Sequence, residues 1–489
     1  MTGAPPAAIP LSARDVRRLD GNAEELGVPV ATLMANAGQA VAEAVMDHVR
    51  KGGEALVMVG KGNNGGDGLA AAVELQSLGR KAWVVLAEPP ERLSRPAASF
   101  FKRLKPGSWM VWTGRPAPGW AKVPVVVDAL LGIGLSGPPR PPYAQMIEWM
   151  NARRQAGTEV ISCDVPSGLG HKPAVRPTRT ITFHGIKEGM HDRNCGAIEV
   201  AEIGIPPAAE TDVGFGDLVV GYPVPAADSH KGQNGVLLMI AGSIPYSGAP
   251  FYSGTAAYRT GCDLVHVATA LDAAQAIRGY GPHIIVHDVC KGPRLQVEAI
   301  PNIRRLLPRA SAVLVGPGLG DDARTRRAVA QVLKDAARRD LPIVVDADGL
   351  DAITPALLAR HGHKMVLTPH TREFEDLTGK PATDGNVQAY AAQSGVTVLC
   401  KGAVRIISDG TRMRWCRRGH PTLTVGGIGD VIAGTTAALM AKGAAPFDAA
   451  CAASYLVGCA GEQAAEMWSY GATATDVANA IPAVLRRLP

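Results

Sequence analysis

Ala55-Leu-Val-Met-Val59, then Lys61-Gly-Asn-Asn-Gly-Gly-Asp-Gly68, then Leu69-Ala-Ala-Ala-Val-Glu-Leu75 is the stretch that decides the fold of the first part of the chain. Five consecutive apolar residues suit a strand buried on both faces, as in a parallel sheet covered by helices. The glycine-rich segment reads as a loop, and 69–75 reads as the helix it feeds. Outward from this unit, 81–86, 124–128 and 158–164 repeat the strand pattern with helical segments between them. An amphipathic helix is predicted around 30–50, its apolar face for packing or a subunit contact. The sum is a parallel, Rossmann-like three-layer α/β/α domain, in which ligands bind beyond the carboxyl ends of the strands.

Three strand ends carry polar groups: the loop with Asn63, Asn64 and Asp67; Asp128, followed by Ala-Leu-Leu-Gly-Ile-Gly-Leu-Ser-Gly137; and Asp164, followed by Val-Pro-Ser-Gly168. Glycines let backbone amides approach a phosphate, and a helix start favours an anion. Asn64, Asp128 and Ser167 supply hard oxygen donors suited to an alkali or other hard cation. Any one of these features alone is as well explained by a tight turn or a helix cap. Together, at three strand ends, they indicate a site.

A second series of strand patterns begins after an irregular, proline-rich connection at 205–228, and the domain boundary is expected near Asp212. Strands are predicted at 235–242, 312–315, 341–346, 365–367 and 396–400, again in a parallel sheet. Their ends carry Gly316-Pro-Gly-Leu-Gly320, Asp346-Ala-Asp-Gly349, Thr368-Pro-His-Thr-Arg-Glu373, Lys401-Gly402 and Gly426-Gly-Ile-Gly-Asp430. Backbone amides around Gly427 and Gly429 at a helix start suit a phosphoryl group in flight, and Asp430 is placed to deprotonate an attacking hydroxyl. Lys401 and Gly402 suit a donor nucleotide's phosphates, and Glu373 suits the water shell of magnesium. Asp346 and Asp348 read equally as turn residues or as part of the substrate edge.

The first motif set resembles the amino-terminal domain of NAD(P)H-hydrate epimerases over roughly 11–206. The resemblance implies that Asn63, Asn64, Gly65, Gly66, Asp67, Gly132, Ile133, Gly134, Leu135, Ser136, Gly137, Pro138 and Asp164 surround the dinucleotide. It implies potassium on Asn64, Asp128 and Ser167, with Asp128 as the catalytic carboxylate. After Gly168 the loop is shorter than the family's and lacks its customary acidic residue.

From about 217 to 488 the chain resembles the ADP- or ATP-dependent NAD(P)H-hydrate dehydratases, a branch of the ribokinase-like superfamily, through HKGQNG, GSIPYSGAP, GPGLG, TPHTREF and GGIGD. This implies that Ala249, Gly318, His370 and Asp430 contact the hydrated nicotinamide nucleotide. Lys401, Gly402, Ala403, Val404, Arg405, Gly427 and Gly429 are then on the adenine nucleotide, which comes with magnesium. Ile428 and Arg372 stand where the family commonly has threonine and glycine.

The joint expectation is an epimerase domain over 1–212 and a dehydratase domain over 213–489, repairing NADHX and NADPHX. The alternative is a ribokinase-like small-molecule kinase with a non-catalytic dinucleotide-binding or scaffold domain. Composition agrees with a globular enzyme: 489 residues, 46% hydrophobic and 19% charged, at a formal net charge of +6. That charge does not indicate nucleic acid or membrane. Eight cysteines without a CxxC pair read as reduced core thiols, and no leader or spanning segment is recognised, so a cytoplasmic location is expected; the resemblance to the ribokinase-like branch implies a homo-oligomer.

Overall fold

The computed structural model describes residues 10–488; the Ala/Pro-rich stretch 1–9, read above as lacking a leader, lies outside them. The chain divides into two compact units after Pro207. The division falls before Asp212 because the short helix Pro207–Thr211 leads directly into the second sheet. There Asp212 pairs with Arg417 at 2.9 Å, and the Val213 N–H donates to the Trp415 carbonyl.

Unit 1 is a seven-stranded sheet of β1 (Glu54–Val59), β2 (Lys81–Leu86), β3 (Trp109–Val111), β4 (Val125–Ala129), β5 (Glu159–Cys163), β6 (Arg179–Phe183) and β7 (Ala197–Ala201). The order is β3-β2-β1-β4-β5-β6-β7 and all pairings are parallel. The order reverses between β1 and β4, the position where such sheets open a crevice. Register sets Met58 beside Asp128 and Asp128 beside Ser162, so the ends of β1, β4 and β5 share one edge. The sequence reading missed β3, β6 and β7, which lie towards the edges of the sheet and are short or interleaved with polar residues.

The glycine motif differs from its predicted form. It is not a loop: the helix runs Asn63–Ser77, with Gly62 as N-cap. Three of its four glycines are required by packing, Gly62 being open to the space around it. A Cβ at Gly65 would lie 1.9 Å from the Gly60 carbonyl oxygen, one at Gly66 2.5 Å from the Met34 side chain, and one at Gly68 2.4 Å from Ala129 Cβ. The helix can therefore lie directly on β1, β4 and the helix Val30–Met46, which is the predicted amphipathic helix and buries Leu33, Met34, Val41 and Val45.

Unit 2 contains β8 (Val236–Ile240), β9 (Leu264–Ala270), β10 (Ile285–Cys290), β11 (Ala312–Val315), β12 (Ile343–Val345), β13 (Met365–Leu367), β14 (Thr397–Cys400), β15 (Arg405–Ser408) and β16 (Met413–Cys416). The nine strands run β10-β9-β8-β11-β12-β13-β14-β15-β16. The expectation of a wholly parallel sheet fails at one edge, where β15 and β16 are antiparallel. Short connections, including a turn at Asp409 and Gly410, force this hairpin direction. On one face the helices Gly248–Arg259, Ile428–Ala441 and Pro446–Trp468 close a core with Met239, Leu314, Val344 and Tyr455. On the other face Phe374, Val329 and Leu333 pack against Val313 and Val345.

All eight cysteines are free, and seven are buried. Among the described residues no helix is long and apolar enough to cross a membrane.

Candidate functional sites

In unit 1 a cavity of about 1000 Å³ opens at the carboxyl edge, at the upper end of small-molecule pockets. Asn63, Asn64, Asp67, Asp164 and the whole segment 132–138 line it. Gly65 and Gly66 do not, because their places in the helix face β1 and Met34. Lys61, Arg17 and Arg140 add cations to the wall. Glu88, held well below the usual carboxylate range at about 2 by Tyr143, Arg92 and Lys61 against the opposing effect of burial, ties the Lys61 ammonium at 3.1 Å.

Asp128 is fully buried and is not among the residues lining this cavity. Its Oδ1 accepts from Ser167 Oγ at 2.5 Å, and its Oδ2 from Ser162 Oγ and Ser167 N, each at 2.8 Å. Burial raises its pKa while these hydrogen bonds act in the opposite direction. A carboxylate so enclosed holds β4 to β5 and the segment after it; its placement does not favour the catalytic role expected of it. Asp128→Ala would strand the Ser162 and Ser167 donors in the interior. It is expected to destabilise unit 1 by about 3 kcal/mol, read as a lower urea midpoint by tryptophan fluorescence of the full chain.

Asn64 behaves differently. It is 9% exposed, and both polar atoms of its amide have no hydrogen-bond partner. A buried orphan amide on a cavity wall is a costly arrangement unless a ligand satisfies it.

The sequence reading missed two groups on this wall, Asp20 and Lys187. Lys187, only 2% exposed, is salt-bridged to Asp164 and also donates to Thr182 Oγ1 at 3.0 Å and the Phe183 carbonyl at 2.6 Å. Its position just past the alternating strand 179–183, Arg-Thr-Ile-Thr-Phe, was the signal available for it. Asp20, on the helix Ala13–Glu25, offered none, since it reads as one acidic residue of an amphipathic helix.

In unit 2 the parallel register of β11, β12, β13 and β14 brings Gly316, Asp346, Thr368 and Lys401 to one edge. Asp346 is buried and accepts from Lys401 Nζ at 2.6 Å and Thr368 Oγ1 at 2.7 Å. The Lys401 ammonium, expected on a nucleotide phosphate, is thus engaged by Asp346, and its pKa is raised by Asp346 and Glu373 in spite of burial. Asp348 accepts from the Gly320 N–H at 2.7 Å.

Asp430 sits in the first turn of the helix Ile428–Ala441, after Gly427 at φ +94°. That left-handed N-cap suits glycine, and a Cβ there would also meet the Tyr252 ring at 2.7 Å. The first N–H groups of a helix have no intrahelical partner, so this end is a ready anion site. Burial, followed by the charge of Asp346, drives the Asp430 pKa up to about 8, with Lys401 opposing. Gly429 lies beside Lys401, and Gly318 beside Ala249: a Cβ on either glycine would fall 3.3 and 3.0 Å from these side chains.

His370 caps the helix Thr371–Thr378, its Nδ1 accepting from the Arg372 and Glu373 N–H groups, while Glu373 Oε2 accepts from the His370 N–H at 2.6 Å. The remaining expected nucleotide residues, Gly402, Ala403 and Val404, are exposed in the turn before β15. Arg405 points inward, its guanidinium 2.5 Å from the Arg418 carbonyl oxygen, so its side chain is not presented at this edge.

The class defined by these features is a two-unit α/β protein with a candidate nucleotide site at the carboxyl edge of each sheet. Residues 237–483 match the NAD(P)H-hydrate dehydratase family and residues 30–189 the YjeF-related protein N-terminus. The bifunctional NAD(P)H-hydrate repair enzyme of Hyperthermus butylicus is 36% identical over 96% of this chain and 91% of its own length. Its counterpart from Pyrobaculum aerophilum is 38% identical over 96% of each chain. A ribokinase-like superfamily protein from Enterococcus faecalis aligns at TM-score 0.48 and 24% identity, covering 54% of this chain and 92% of its own. The chain belongs to the family of bifunctional NAD(P)H-hydrate repair enzymes.

Proposed function

We propose that this chain repairs hydrated nicotinamide nucleotides at two sites. Unit 1, with the domain taken as 1–212, interconverts the R and S epimers of NADHX and NADPHX, an isomerase activity. Unit 2, taken as 213–489, dehydrates the S form with ADP or ATP, a lyase activity. The observation that carries this reading is Asp430: a carboxyl group with its pKa near 8 at a glycine-capped helix start, in a chain whose other unit holds a large polar cavity.

Asp430 in its ionised form takes the proton of the C6 hydroxyl. That oxygen accepts the phosphoryl group of the nucleotide, the C6–O bond breaks with its electron pair leaving on phosphate, and loss of a C5 proton restores the ring double bond. The helix start at Gly427 and Gly429 holds the phosphoryl oxygens, and Gly318 with Ala249 borders the nicotinamide nucleotide. Magnesium, when bound with the nucleotide, neutralises phosphate charge and keeps several of its waters, for which Glu373 offers a carboxylate. Lys401 acts through Asp346 and Asp430 rather than on phosphate.

In unit 1 the alkali cation expected on Asn64, Asp128 and Ser167 is supported by the unpartnered Asn64 amide, while Asp128 and Ser167 would give up their mutual hydrogen bond to join it. Potassium in place of sodium is expected to raise the unfolding midpoint of unit 1, and Asn64→Ala to remove the difference. Lys61, Arg17 and Arg140 suit the dinucleotide phosphates. A homo-oligomer in the cytoplasm completes the proposal, and light scattering of the purified chain tests the assembly.

Absorbance at 340 nm tests the function, with an R/S mixture of NADHX, magnesium and either nucleotide. Complete recovery of NADH is expected. Recovery that stops at the S fraction would remove the epimerase half, and a stable phosphorylated product without NADH would favour a kinase.

A further inference from the structure

We propose that Asp67 is the acid that drives inversion at C6, giving its proton to the departing hydroxyl, and that Asp20 takes the proton of the water that replaces it. The inference rests on the epimerase reading of the unit 1 cavity. Asp128, the carboxylate suggested by the sequence, is sealed behind the wall with both oxygens occupied by Ser162 and Ser167. Asp67 is on the wall, one turn into the helix Asn63–Ser77, together with Asp20, Asp164 and Lys187. An ammonium has three N–H donors, and those of Lys187 go to Asp164, Thr182 Oγ1 and the Phe183 carbonyl, so its hydrogen bonds serve Asp164 rather than Asp67.

The same wall carries the Asn64 amide, nine-tenths buried with neither polar atom partnered; with Oδ1 given to a cation, its Nδ2 is still left for a polar ligand seated here. The groups facing Asp67 are Asp164 and Cys163 at the end of β5, Asp20 from the helix Ala13–Glu25, and Lys187 after β6. Burial, then Asp164 and Asp20, push Asp67 well above the usual carboxylate range, which favours its protonated form, the form an acid needs. Burial, Asp164 and Glu24 raise Asp20 to about 6, with Lys187 opposing, so Asp20 is largely ionised there. One carboxylic acid and one carboxylate on one cavity are the pair that acid–base catalysis needs.

The step balances without a further reactant. The C6–O bond breaks, its electron pair leaves on oxygen, and with the Asp67 proton the group departs as water. The N1 lone pair forms the N1=C6 iminium. A solvent water adds to the other face of C6 and releases its proton to Asp20, and exchange with solvent returns the two carboxyls to their starting states. Each inversion therefore exchanges one oxygen with solvent.

Purified R-NADHX is incubated with the full chain in H₂¹⁸O, and the epimers are separated by chromatography and weighed by mass spectrometry. The wild type is expected to produce the S epimer carrying one solvent oxygen. Its rate should fall at high pH as Asp67 ionises and at low pH as Asp20 protonates. Asp67→Asn is expected to slow inversion about 100-fold, with Asp67→Glu recovering part of the rate. Dehydration of S-NADHX by the same sample, which uses the separate site in unit 2, should stay within threefold of wild type.

Inversion by Asp67→Asn at more than a tenth of the wild-type rate, or inversion without solvent oxygen, would overturn the assignment. A wild type that binds NADPH but never inverts R-NADHX would instead remove the epimerase reading.

Discussion

Asp430→Asn is expected to reduce dehydration of S-NADHX by about 1000-fold or more while making unit 2 more stable. Loss of activity follows because the amide cannot accept the hydroxyl proton. The gain in stability follows from linkage. A carboxyl whose folded pKa is raised from 3.8 to about 8 binds its proton more tightly in the folded state. Folding stability therefore falls as pH rises from about 4 to about 8, and above that the full cost of an ionised, buried Asp430 is carried. The neutral amide avoids this cost, on the order of 5 kcal/mol at pH 8 and vanishing near pH 4.

Calorimetry of wild type and variant at pH 5 and pH 8 checks the sign. A variant that gains no more stability over wild type at pH 8 than at pH 5 would show that Asp430 is not destabilised by burial, and retained dehydration would remove it as the base. In the wild type the dehydration rate should rise with pH towards about 8, since only the ionised carboxylate is a base.

Lys401→Met has the second large effect, in the opposite direction. The ammonium is bound at 2.6 Å to Asp346, whose side chain is 2% exposed. Removing the cation leaves a buried carboxylate with only the Thr368 hydroxyl among its described hydrogen-bond donors, at an expected cost of about 3 kcal/mol in unit 2. Lys401 is also the charge that opposes the rise of Asp430, so the residual dehydration should require a higher pH. The double variant Lys401→Met with Asp346→Asn separates these effects, because neutralising both partners should recover most of the stability. Urea midpoints of the single and double variants give the coupling. If the single variant is as stable as wild type, Lys401 is free to serve phosphate after all.

Where sequence reading succeeded and failed follows from which interactions are local. The runs 55–59, 312–315 and 365–367 are apolar throughout, and each lies within a buried strand of its sheet. The strands it missed, such as β15 and β7, are edge or near-edge elements with charged residues in them, where burial imposes no apolar pattern. GNNGGDG announced a strand-to-helix junction, but Gly65, Gly66 and Gly68 answer to the close packing of Gly60, Met34 and Ala129. That distinction depends on a helix seated on the strands and on a second helix, and spacing along the chain does not contain it.

By itself the sequence determined the α/β class, the two series of strands, the strand-end positions of Asn64, Asp128, Asp164, Asp346 and Lys401, and the helix-start position of Asp430, which follows a short 3-10 turn rather than the expected strand, because hydrophobic runs and turn residues act within a few positions of one another. Tertiary structure decided what each of these groups does. It sealed Asp128 against Ser167, tied Lys401 to Asp346 across 55 positions, and put Asp20 and Lys187 on the cavity wall beside Asp67. The physical reason is that the charge state of a buried carboxyl is set by its desolvation and by the groups facing it, and sheet order, not chain order, chooses those groups.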